Sequence, residues 1–199
     1  MEGLLDLASA FGLSTSAGLN AYIPMLTVAL LAKFTRLVEL QSPWDALTSW
    51  WIIALLAVLL VIEEIADKIP AVDTVNDVIQ TLIRPTAGAI LFASTTQATI
   101  NLHPVLAFGC GVILAGGVHA VKAGARPAVT VASAGTANPI VSTVEDAVAA
   151  VTSVVAVVMP YLIGIWVLLL ITLIVLVVRR RQRAAPRAGG GLRRVEPDE

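Results

Sequence analysis

Arg84 lies a dozen residues inside an apolar stretch, 73–98, and shares one helical face with Asp73, Asp77 and Gln80 at intervals of four, three and four. A polar stripe on an apolar helix turns toward protein or water, so a guanidinium at that depth calls for a carboxylate partner or an aqueous path. Glu63 and Asp67 stand four residues apart in VIEEIADKIP, which reads either as an ion-binding cluster or as the solvated end of a helix. GGVHAVKAGARP puts His119 and Lys122 on one face with Arg126 close behind. An imidazole beside carboxylates can relay protons or ligate a metal, whereas a lone histidine more often serves as a core donor. Asn20 belongs to GLSTSAGLNAYIP, where Ser14, Thr15, Ser16, Gly18 and Pro24 crowd an apolar stretch. Gly and Pro there can break a helix and release backbone groups toward a site; the competing reading is close helix packing through small residues.

These residues hang on helices that water does not favour. Of 199 residues, 57% are hydrophobic and 14% charged, with a mean hydropathy of +0.87, whereas soluble domains carry about 25% charged residues. That composition predicts an all-α, polytopic membrane bundle and leaves no length for a separate catalytic domain. Apolar stretches at 8–32, 48–66, 73–98, 104–122, 141–158 and 161–178 give about six spans. Five is the alternative, because 147–178 carries no charge and only Pro160 punctuates it. The connection 123–140 is long and nearly uncharged, as a re-entrant segment would be.

Seven of the thirteen basic residues are arginines within 179–194. The positive-inside bias therefore places the C-terminus in the cytoplasm of a bacterial inner membrane, and an even span count brings the N-terminus to the same side. The chain divides into a transmembrane helical domain, 1–178, and an Arg-rich cytoplasmic tail, 179–199, expected to be disordered because it lacks the apolar periodicity of a packed segment. The acidic N-terminus, with Glu2 and Asp6, reads as mature sequence. The single cysteine, Cys110, forms no intrachain disulfide.

P-x-V-x-T-V-x-D occurs at Pro70–Asp77 and again at Pro139–Asp146, an offset of 69. Stretches 48–98 and 104–158 then read as two parallel helical-hairpin repeats, a transporter device with its site between the halves. The offset maps Asp77 onto Asp146 and Arg84 onto Ser153, so one copy alone keeps the cation.

GLNAYIP, ADKIP, IRPTAG, GGVHAVKAGARP and NPIVSTVED, in that order, resemble a family of small multi-spanning bacterial and plant membrane proteins known as a domain of unknown function. The resemblance covers nearly the whole chain up to the arginine tail and implies membrane location, with no activity or functional residues to transfer.

The sequence shows no P-loop, no zinc-protease, hydrolase or dinucleotide motif and no basic-aromatic nucleic-acid surface. The expected function is a transporter or channel for a small polar solute or ion, its path lined by Asn20, Asp77, Arg84, His119, Lys122 and Asp146, with Glu63 and Asp67 as an ion cluster. The alternatives are a membrane-embedded enzyme acting on a lipid head group and a non-catalytic assembly subunit. The bilayer, the solute and a second copy of the chain are the expected partners, and no cofactor is specified.

Overall fold

The computed structural model describes residues 2–67, 70–100 and 102–184, and these form seven α-helices and one 3-10 turn, with no strand among the described residues. The helices are α1 (Glu2–Leu19), α2 (Tyr22–Phe34), α3 (Trp50–Ala66), α4 (Pro70–Ile100), α5 (Pro104–Ser133), α6 (Asn138–Val158) and α7 (Pro160–Ala184), with the 3-10 turn at Trp44–Thr48. Two compact units divide at Gly164.

In the first unit, residues 1–164, α1 packs against α4, α5 and α6. Side-chain bonds fix its direction. Ser9 donates to the Ala156 carbonyl at 2.7 Å, Ser16 to the Ala149 carbonyl at 2.8 Å, and Asn20 to Asp146 at 2.9 Å, so α1 and α6 run antiparallel. Ser14 donates to the Gly88 carbonyl at 2.9 Å while Gly3 lies against Ile100, so α1 also runs antiparallel to α4. Helices α4 and α6 are therefore parallel to each other.

The stretch 8–32, expected as a single span, is two helices that fold back on one another. Pro24 has no amide to give the Asn20 carbonyl and its ring crowds that position, so the helix cannot run through. The Asn20 side chain instead caps α2, accepting from the amides of Tyr22 at 3.0 Å and Ile23 at 3.1 Å. α2 returns alongside α3, bringing Phe34 and Lys33 onto the Trp50 ring. Both open ends of the pair line one cavity of about 450 Å³, where Glu2 and Asp6 face Arg36 and Glu39. The N-terminus thus sits at the end of the bundle that holds Arg36, away from Lys122 and Arg126.

A second difference lies at 123–140. Helix α5 continues to Ser133, and only 134–137 form turns before α6. Ala and Val dominate 123–133 and sustain the helix, and Pro127 is accommodated inside it.

The interior holds polar side chains beside the apolar core, and many large apolar side chains face outward. Buried positions include Ser14, Ser16, Asn20, Gln80, Arg84 and Ser153, while Leu55, Val61, Ile113, Val121, Val144 and Val151 are exposed. α5 and α6 are each long and apolar enough to cross a membrane. Small residues let the helices approach: a Cβ on Gly18 would lie 2.5 Å from the Ala115 carbonyl, and one on Gly111 would collide with the backbone of Gly88. The small-residue reading of α1 is therefore realised together with the helix break.

The second unit, residues 165–199, contains the remainder of α7, whose Ile165, Trp166, Leu168 and Leu169 are exposed. The arginine tail beyond Ala184 falls outside the described residues.

Candidate functional site

The tip of the α1–α2 pair reaches the middle of α4 and α5, where α3 ends and α6 begins. Seven of the sequence-selected residues meet there: Asn20, Glu63, Asp67, Arg84, His119, Lys122 and Asp146. The side chain of Asp77, the eighth, lies outside the described residues, as does that of Asp73.

Arg84 is fully buried and donates through Nη2 to Glu63 Oε1 at 2.9 Å, the carboxylate itself being 2% exposed. Its Nη1 is 3.1 Å from His119 Nδ1. A guanidinium only donates, so Nδ1 is the acceptor and the ring hydrogen sits on Nε2, facing Thr81 Oγ1 at 3.1 Å. His119 is thereby a neutral acceptor in this arrangement. Among the described residues no group of His, Cys, Asp and Glu is placed to hold a metal ion.

A second network sits below the tip. Lys122 Nζ donates to the Leu19 carbonyl at 3.0 Å and pairs with Glu145 Oε2 at 2.8 Å. That carbonyl ends α1 and has no helical amide to receive, so the ammonium takes the place of the missing turn. Arg126 bridges Glu145 at 3.5 Å and Asp67 at 3.3 Å. Asp67, in the turn beyond α3, also accepts from Ser142 at 2.8 Å and Asn76 at 2.9 Å. Burial alone would raise its pKa, but the Ser142 hydroxyl, Lys122, Arg126 and Asn76 together hold it below the ordinary 3.8.

Asp146 accepts from Asn20, and Glu64 reaches the same carboxyl. Asn20 therefore joins the α2 cap to α6 through one amide group. Tyr22 is buried close to Gln80, Glu63 and Arg84.

Glu145, Ser142, Asn76 and Tyr22 escaped selection from the sequence. Ser142 and Glu145 occupy one face at a spacing of three, which signals a shared environment, and Tyr22 follows the predicted helix break directly. Nothing in the sequence distinguishes Asn76 from an ordinary helix-start residue.

The site is closed. Arg84, Glu63, His119 and Gln80 are all nearly inaccessible, and a second cavity, of about 510 Å³, lies at the far end of the bundle beside Trp44, Gln97 and His103. Such an arrangement can hold a small polar group by hydrogen bonds and charge, and helix movement is required to admit one. No curated protein and no solved structure matches the chain. A family model described as a domain of unknown function, DUF4126, matches residues 7–180, and the chain belongs to that family.

Proposed function

We propose that this chain is a polytopic membrane transporter or channel for a small polar solute or ion, with α1–α2 as a re-entrant pair and α3 to α7 as crossings. The observation that carries the reading is the break between α1 and α2. Its freed Leu19 carbonyl and its Tyr22 and Ile23 amides meet Lys122 and Asn20 inside a buried charged cluster halfway along α4 and α5. Discontinuous helices placing backbone dipoles at mid-membrane depth are a recurrent transporter device, tolerable in a bilayer only where protein or water surrounds the break.

The apolar exterior and the buried charged pairs support a lipid surrounding, because the pairs are shielded by helices while Val, Leu and Ile face outward. The parallel-repeat reading draws support from α4 and α6 both starting beside Asp67, through Asn76 and Ser142, and both running antiparallel to α1. The seven arginines within 179–194 favour the cytoplasm for the C-terminus.

The test is reconstitution. Proteoliposomes carrying the full chain are expected to pass at least one solute from a panel of sodium, potassium, protons, glycine, acetamide and glycerol faster than protein-free vesicles, and the variant Glu63→Gln/Arg84→Met is expected to lose that flux. Vesicles as tight with the protein as without it would remove the transport reading and leave the lipid-enzyme and assembly alternatives.

A further inference from the structure

Among the described residues, three buried side-chain atoms have no hydrogen-bond partner: Glu63 Oε2, Gln80 Oε1 and Arg84 Nε. Their residues are 2%, 1% and 0% exposed. Gln80 and Arg84 are one turn apart on α4, Glu63 is bonded to Arg84 across from α3, and Tyr22 at the start of α2 lies close by. Orphaned polar atoms in a native interior carry a desolvation cost and occur where a ligand, an ion or water completes the site.

Charge decides among these ligands. Glu63 and Arg84 neutralise each other at 2.9 Å, so a cation drawn to Glu63 Oε2 is opposed by the guanidinium, and an anion drawn to Arg84 Nε is opposed by the carboxylate. His119 adds no charge, because its Nδ1 accepts from Arg84. The unmet demand is for two donors, at Glu63 Oε2 and Gln80 Oε1, and one acceptor, at Arg84 Nε.

We infer that Glu63, Gln80 and Arg84, with Tyr22 beside them, form a binding subsite for a small solute without net charge that offers two hydrogen-bond donors and one acceptor, a primary amide or a polyol. The inference deepens the transport reading by naming the solute class, and it rests on that reading for its physiological meaning. The helix break next to Tyr22 supplies the movable element, since the re-entrant tip covers the subsite from one side.

Ligand-observed NMR on the full chain in detergent micelles tests it, with acetamide as the probe. The expected result is a saturable signal displaced by glycerol but not by methylammonium chloride or potassium acetate, and weakened at least tenfold by Gln80→Leu. Absence of saturable acetamide binding to the wild-type protein overturns the inference, the three atoms then being satisfied by water alone. Displacement by methylammonium or acetate overturns it as well, since the subsite would then be selecting charge. Should Gln80→Leu fail to fold, the wild-type competition decides the matter. Binding without flux in proteoliposomes would sink the transport reading and leave the subsite standing; flux of ions without acetamide binding would do the reverse.

Discussion

Lys122 secures the broken end of α1: its ammonium is 3.0 Å from the Leu19 carbonyl and 2.8 Å from Glu145 Oε2. Removing one partner of a buried pair leaves the other uncompensated, at a cost of about 3–5 kcal/mol. Lys122→Met should fall toward the lower end, because Arg126 still reaches Glu145. Adding Glu145→Gln should recover part of the loss. Thermal unfolding in detergent measures both, and a single variant as stable as wild type would show that the tip does not depend on this ammonium.

Arg84 and Glu63 predict the same asymmetry more sharply. Arg84→Met alone strands a carboxylate that is 2% exposed, whereas Arg84→Met with Glu63→Gln removes both charges. The double variant should therefore unfold at a temperature nearer to wild type than the single one. Equal stability of the single variant would mean that Glu63 finds another cation.

On the proposed reading, the fold-back of α1 on α2 gives a topology that differs from an even-span count. A phosphatase reporter fused at residue 1 should be active, hence periplasmic, while the same reporter inserted at 135 should be silent. A silent reporter at residue 1 beside a silent one at 135 would contradict the re-entrant arrangement.

Close helix contact predicts a contrast among glycines. A Cβ on Gly88 would collide with the Ala115 side chain and stand 2.8 Å from the Gly111 carbonyl, whereas one on Gly109 meets nothing within 4 Å. Gly88→Ala should destabilise by about 1–3 kcal/mol through overpacking. Gly109→Ala should be neutral or stabilising by up to about 1 kcal/mol, from helix propensity. Comparable unfolding of the two variants would refute the α4–α5 contact.

Asp67 gives a pH dependence. Its pKa in the folded chain is lower than the ordinary 3.8, so its stabilisation is fully present above that value and is withdrawn as pH falls through the lower folded value. Unfolding followed between pH 6 and pH 2 should show an acid limb that Asp67→Asn reduces. A limb of unchanged depth in that variant would assign it to other carboxylates.

By itself the sequence determined the helical class, the outward apolar surface and the identity of the polar residues. Periodicity put Gln80 and Arg84 on one face, and Gly18, Asn20 and Pro24 marked the place where a helix could break, because proline lacks the amide that a continuing helix needs. Direction after the break was decided by tertiary structure. A capped Asn20 is compatible with a kinked span or with a reversal, and only the bonds of Ser9, Ser16 and Asn20 to α6, with α2 returning along α3, select the reversal. Pairing was likewise a three-dimensional matter. Glu63 to Arg84 spans 21 residues and Lys122 to Leu19 spans 103, and local spacing carries no information about which carboxylate or carbonyl meets which cation across helices.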